Sequence, residues 1–345
     1  MKLSSLERQV YEKYIDMFDF SEYLRNKTIL ITGSKGIIGS GLIRWILLEN
    51  QKRGCNTHII ASSRNPEKRP QFIEESDNIS FCKFGEEGQL TERIDYIIHT
   101  AAPTSNKVFK EQPVESLRSI IDGAETVLDL ARRQENCSVI YLSSEEAYGT
   151  PNAAEPVDES YVGAIDSMNV RNCYPMGKKA CELLCKAYFE EYGLDVKIIR
   201  PTVILGLFQP YDSVKVEAEI LRCIMENKNL YMKSNGMTKK CVIYTMDALS
   251  AVLTVLFCGR AGEAYNATNP DTYETVKDRA YQAFERFNPN VTIEFAEQDI
   301  SMASGYLPQR ALQEDISKIS ALGWKPMANM DDIYEIDIKR FSENR

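Results

Sequence analysis

Thr28-Ile-Leu-Ile-Thr32-Gly33-Ser-Lys-Gly36-Ile-Ile-Gly39 is the stretch that decides the fold. Its first five residues are each apolar or β-branched, which reads as a strand buried on both faces of a parallel sheet. Three glycines then turn the chain into an apolar helical pattern running from about Ile37 to Asn50. Strand, glycine turn and helix in that order suit a dinucleotide, whose pyrophosphate is held by N–H groups at a helix N-terminus. Gly33 would allow the tight turn, Gly36 the approach of backbone to phosphate, and Gly39 close packing of helix on strand. Ile37 and Ile38, the first helical residues, join them as candidate cofactor contacts. A turn of this composition can also be purely structural, but its place between strand and helix favours the dinucleotide.

Working outward, His58–Ala61, Tyr96–His99, Val139–Ser143 and Val196–Arg200 read as further strands. Helical patterns over Ser116–Gln134 and Tyr174–Tyr192 alternate with them. Such alternation predicts an α/β fold with a Rossmann-type, doubly wound parallel sheet. After Pro201 the segments shorten and Pro, Asn and Gly scatter among them, as in a smaller, discontinuous α/β lobe. A helix over about 247–257 is expected to return to the main sheet. The division expected is therefore a helical extension at 1–26, a dinucleotide-binding domain at 27–200, and a mainly substrate-binding lobe at 201–345. In the extension, Leu6, Val10, Tyr14 and Met17 recur at helical spacing. That helix could pack on the body or on a partner subunit.

The net charge of −9 and pI of about 5.1 argue against a nucleic-acid surface and a polybasic membrane patch. No apolar run is long enough to span a bilayer, and Met1-Lys-Leu-Ser-Ser-Leu-Glu-Arg8 lacks a secretory core. Nine cysteines include no C-x-x-C, and with only His58 and His99 beside them no metal site is expected. Free thiols in a reducing cytoplasm are the reading these spacings favour.

Chemistry concentrates in Tyr174-Pro-Met-Gly-Lys178. A tyrosine and a lysine four apart share one helix face. A phenol of pKa about 10 is a poor base at neutral pH, and a neighbouring ammonium would favour phenolate. A base beside a nicotinamide is what removing a hydride and a proton from an alcohol requires. Ser143-Ser144-Glu145-Glu146 follows a strand, where ligands bind in this architecture. Ser144 could hydrogen-bond the alcohol, and Glu145 and Glu146 could supply acid or base; a solvated pair at a helix start is the plain alternative. The second strand ends in Ser62-Ser63-Arg64 with no carboxylate, so Arg64 could meet a 2′-phosphate and both NAD and NADP stay open. Thr100, Ala101 and Ala102 are further candidate cofactor contacts, and Pro103, Ser105, Lys240 and Arg310 candidate substrate contacts. His99 reads as structural, and Lys240 fits either a substrate diphosphate or a solvated turn.

Together these residues resemble the extended short-chain dehydrogenase/reductase superfamily, in its NAD-dependent epimerase/dehydratase branch. The resemblance covers about Lys27 to Pro326. It rests on Gly33/Gly36/Gly39, His99-Thr-Ala-Ala-Pro103, Ser143-Ser-Glu-Glu-Ala-Tyr-Gly149, Tyr174-x-x-x-Lys178 and Leu322-Gly-Trp-Lys-Pro326. It implies a nucleotide-sugar substrate, a retained nicotinamide cofactor and a homodimer. It casts Tyr174 as base at the sugar C4 hydroxyl, Lys178 on the nicotinamide ribose, and Ser144 as helper. Val170-Arg-Asn-Cys-Tyr-Pro-Met-Gly-Lys-Lys179 is similar to the UDP-glucuronate decarboxylase pattern. Ser144-Glu145-Glu146 looks like the Thr-Asp-Glu triplet of sugar-nucleotide 4,6-dehydratases; Glu146 matches both patterns, Glu145 only the latter. Two departures stand out: Pro201-Thr-Val where relatives often carry an asparagine, and Lys240 where they place an arginine. A 4-keto intermediate leading to epimerisation, dehydration or decarboxylation is the expectation. An NADPH-dependent keto-sugar reductase and a non-catalytic cofactor-binding subunit are its rivals.

Overall fold

A computed structural model of the chain describes residues 3–67, 77–151, 155–297 and 310–343. The main sheet begins with β1 (Thr28–Thr32), β2 (His58–Ser63), β3 (Ile79–Lys83), β4 (Tyr96–His99), β5 (Ser138–Leu142) and β6 (Asp195–Pro201). A seventh strand, Ala264–Ala267, completes the order Ala264–Ala267, β6, β5, β4, β1, β2, β3. All neighbours are parallel. The order reverses beside β1, which pairs β2 on one side and β4 on the other. In open sheets that reversal opens the crevice where ligands bind.

Alternate side chains of each strand feed opposite faces of the sheet. Ile29, Ile31 and Ile59 join the core under α3 (Ile37–Arg53) and the helix Thr245–Cys258, the returning helix the sequence suggests. Leu30, Ile60, Ile97 and Val139 join the opposite core, with Ile120 and Val127 of α5 (Pro113–Arg132) and Cys181 and Cys185 of α6 (Cys173–Tyr192). α4 (Asn106–Glu111) leads into α5. Beyond β6, Val203–Leu205, Lys239–Tyr244, Asn269–Thr275 and Ala311–Leu312 make a second sheet. The buried side chains of Val216–Glu226 and Val276–Phe287 form a further core.

The extension folds as α1 (Ser5–Met17), started by a Ser4/Glu7 capping box, and α2 (Ser21–Leu24). The helix packs on the body of the chain. Its inner face is Tyr11, Tyr14 and Ile15, whereas Met17 is exposed, so the expected stripe is rotated. Two buried phenols need partners, and the body supplies them. Tyr11 donates to Gly41 O at 2.9 Å and Tyr14 to Asp247 Oδ1 at 2.8 Å. Asp247 also accepts the N–H groups of Met327 and Ala328, at 2.9 and 3.1 Å. Among the described residues no helix is long and apolar enough to cross a membrane.

Candidate active site

The turn after β1 is shaped for close approach. Gly33 has φ +67°, and a Cβ there would lie 2.7 Å from Thr100 Oγ1 and 2.9 Å from Ala101 N. A Cβ at Gly39 would run into the Gly33 carbonyl. Gly36 caps α3 in extended conformation and its N–H donates to Gly33 O at 2.8 Å. Ile37 and Ile38 thus open a helix whose first N–H groups face the crevice side of the sheet. Thr100 is fixed by donating to Thr32 O at 2.7 Å. This cradle of backbone fits a dinucleotide's pyrophosphate.

At the end of β2 the structure adds a group to those read from the sequence. Ser62 and Ser63 are buried, and Arg64 is exposed. The Ser62 hydroxyl donates to Glu87, a buried carboxylate that also accepts Gly85 N at 2.7 Å. A carboxylate therefore does stand at the end of β2, contributed from the turn after β3.

The turn after β5 carries the reactive groups. Ser144 caps a short helical turn, Glu145–Tyr148, its Oγ accepting Glu146 N at 3.2 Å. Tyr174, in the first turn of α6, stacks on Phe109 with ring centres 4.8 Å apart. Burial, and next Glu146, push the Tyr174 phenol above its ordinary value, while a hydrogen bond with Ser144 pulls it down. Lys178 was expected to do that lowering. Instead its Nζ lies 5.9 Å from the Tyr174 ring centre and donates to Leu142 O at 2.6 Å. Burial brings Lys178 itself down to about 8. His99 is structural as expected: it shares a 2.9 Å hydrogen bond with Thr32 Oγ1, and burial lowers it to about 3, so it is neutral.

Both glutamates are held by guanidinium groups. Arg171 donates to the two oxygens of Glu146 at 3.0 and 3.1 Å, and to Asn106 Oδ1 at 2.9 Å. Arg310 Nη2 lies 3.0 Å from Glu145 Oε2, both side chains being buried. The solvated-pair alternative for these glutamates is thereby excluded for Glu145, which is 4% exposed. Nearby, burial, and next Glu145, push the buried Glu314 carboxyl well above the usual range.

Residues 29–268 match the NAD dependent epimerase/dehydratase family. The chain belongs to that family. Among curated relatives, UDP-glucuronic acid decarboxylase 3 of Arabidopsis thaliana is 27% identical over 312 residues, covering 88% of this chain and 86% of its own. UDP-glucuronic acid decarboxylase 1 of Xenopus tropicalis is 25% identical, covering 96% and 76%. Among solved structures, dTDP-glucose 4,6-dehydratase of Bacillus anthracis in complex with NAD superposes with TM-score 0.74 at 20% identity, covering 92% of this chain and 97% of that one. UDP-glucuronic acid 4-epimerase of Bacillus cereus gives 0.76 at 20% identity, covering 92% and 100%. At that identity the superpositions establish the doubly wound fold.

Within this family member, Tyr174, Lys178, Ser144, Glu145, Glu146 and Arg310 converge on one end of β5. Lys240 does not join them: its Nζ pairs with Glu217 at 3.3 Å, which Arg279 also holds at 3.2 Å. Ser105 is the exposed residue before α4, and Pro103 is half-buried. Sequence reading missed Arg171, Asn106, Glu314 and Glu87. Only Arg171 left a signal, lying inside the quoted stretch that ends at Lys179.

Proposed function

We propose that this enzyme oxidises a nucleotide sugar at C4, acts on the resulting 4-keto sugar, and restores its cofactor before release. The observation that carries the reading is Tyr174 close to Ser144 and Glu146, with Lys178 behind it, on the sheet that also bears the glycine cradle. Bound NAD would accept the C4 hydride and return it later in the cycle. Tyr174 takes the C4 hydroxyl proton, and Ser144 orients that hydroxyl. Lys178 holds the nicotinamide ribose. A C4 ketone acidifies C5–H, and Glu146, fixed by Arg171, would take that proton. NAD suits the end of β2 better than NADP, because the Glu87 carboxylate behind Ser62 disfavours a 2′-phosphate.

Residues 27–200, with the returning helix, would hold the cofactor and the later lobe the sugar nucleotide. The pairing of two copies fits α5 and α6, whose outer faces leave Val114 and Leu183 exposed. The cytoplasm suits nine free cysteines.

The test is nicotinamide absorbance during turnover with UDP-, dTDP-, GDP- and CDP-sugars. A transient rise without net consumption is expected. Cofactor that no sugar reduces, or one NADPH consumed per product, would sink the reading.

A further inference from the structure

α4 carries none of the acids or bases of the site, yet one face of it touches two residues that matter there. Asn106 and Phe109 stand three residues apart on that helix and so share a face. Arg171 and Tyr174 stand three apart where the chain enters α6. The two pairs meet. Asn106 Oδ1 accepts from Arg171 Nη2 at 2.9 Å. The Phe109 ring stacks on Tyr174, with 4.8 Å between centres and 20° between planes. The Arg171 guanidinium lies 5.2 Å from the centre of the same Phe109 ring. A cation within about 6 Å of a ring centre is drawn to its face. Cys173, which precedes Tyr174, has its Sγ 3.9 Å from the Phe109 carbonyl oxygen. Phe109 is 2% exposed, whereas Tyr174 is only half-buried, so Phe109 supplies much of the cover Tyr174 has.

Granted that Tyr174 is the C4 base, we propose that Phe109 is a positioning residue of this site. Its ring sets the plane of the Tyr174 phenol, keeps water off one face of it, and steadies Glu146 through Arg171. A flat ring laid on a flat ring leaves the phenol little freedom to turn out of line. Proton removal needs that alignment, and a misplacement of about 1 Å can cost on the order of a hundredfold in rate. The contact with Arg171 extends the effect. Arg171 grips Glu146 with two nitrogens at 3.0 and 3.1 Å, so one ring holds the phenol directly and the carboxylate at one remove. A leucine would fill this corner of the core, but it offers a flat face to neither partner. The stacking on Tyr174 and the approach of Arg171 are therefore what a side chain chosen for packing alone would not supply.

The experiment takes two readouts, and the first needs no turnover. Protein labelled with carbon-13 at the tyrosine Cζ is titrated by NMR, the Tyr174 signal being the one lost in Tyr174→Phe. Burial is the leading cause that holds this phenol above its ordinary value. The titratable and charged groups that face it are Glu146, Glu145, Arg171, Lys178, Cys173 and Tyr141, and a change at Phe109 leaves all of them in the chain. In Phe109→Ala, which uncovers the ring, ionisation should set in about one pH unit lower than in wild type. If that variant does not fold, Phe109→Leu should show a smaller shift in the same direction. The second readout is single-turnover reduction of bound NAD by whichever UDP-, dTDP-, GDP- or CDP-sugar of the panel reduces it fastest, at saturation. Phe109→Leu should slow it about tenfold, with NAD and sugar affinities within about twofold of wild type. Phe109→Tyr keeps the flat ring and should stay within about threefold of the wild-type rate. An ionisation that does not move in a folded variant overturns the proposal. So does a Phe109→Leu enzyme that runs at the wild-type rate, or a Phe109→Tyr enzyme as slow as Phe109→Leu. If wild-type protein reduces no cofactor with any sugar, the C4-oxidation reading falls, and the titration decides by itself whether Phe109 covers Tyr174.

Discussion

The turn at Gly33–Gly39 and the turn at Ser144–Glu146 both follow strands of one sheet, yet they are built from different materials. The first is backbone: a positive φ at Gly33, missing Cβ atoms, and free N–H groups at a helix start. The second is side chains: a phenol, a hydroxyl and two glutamates, each glutamate gripped by an arginine from elsewhere in the chain. A backbone cradle is complete within a dozen residues and suits a part of a ligand that never changes. An electrostatic cage needs Arg171 and Arg310 to be delivered by the fold, and so can be retuned one charge at a time.

The sharpest way to break this contrast is Tyr174→Phe. It should lower turnover by roughly a hundredfold to ten-thousandfold while leaving NAD affinity unchanged. Activity within tenfold of wild type would remove Tyr174 from the chemistry. Gly39→Ala tests the other end. Its methyl group meets the Gly33 carbonyl, a backbone atom that cannot swing aside. We expect about 1–3 kcal/mol of destabilisation and an NAD affinity weaker on the order of tenfold, read by thermal melting and fluorescence titration. Undiminished affinity would show that the cradle tolerates a side chain. Smallest is Arg171→Lys, which keeps the charge but loses the two-pronged grip on Glu146. Turnover should fall about tenfold with NAD binding intact; an equal fall in NAD binding would mean the two ends are not independent.

The same contrast explains what could be read from sequence. β1, its glycine turn and the Tyr174–Lys178 spacing are local patterns, and the structure places them as expected. β3 was not legible: Ile79-Ser-Phe-Cys-Lys83 is short and only partly buried at the sheet edge. Glu87 was hidden with it, which is why the end of β2 looked empty of carboxylate. Arg310 stood out only as a candidate substrate contact, and its pairing with Glu145 could not be read, because an ion pair between distant segments leaves no period in the sequence. Lys240 was legible as a cation, and its partner Glu217 was not, for the same reason.

Asp247 joins α1, through Tyr14, to Met327 and Ala328 near the other end of the described chain. Burial raises this carboxyl from 3.8 to about 6, so folding favours its protonated form. Its contribution to stability is full below the unfolded value and is lost as pH rises through about 6. During synthesis, the seat of α1 is unfinished until residues 327 and 328 have left the ribosome. The docking of α1 must therefore wait for a segment far downstream of it, and in native-state hydrogen exchange the two should open together as one unit.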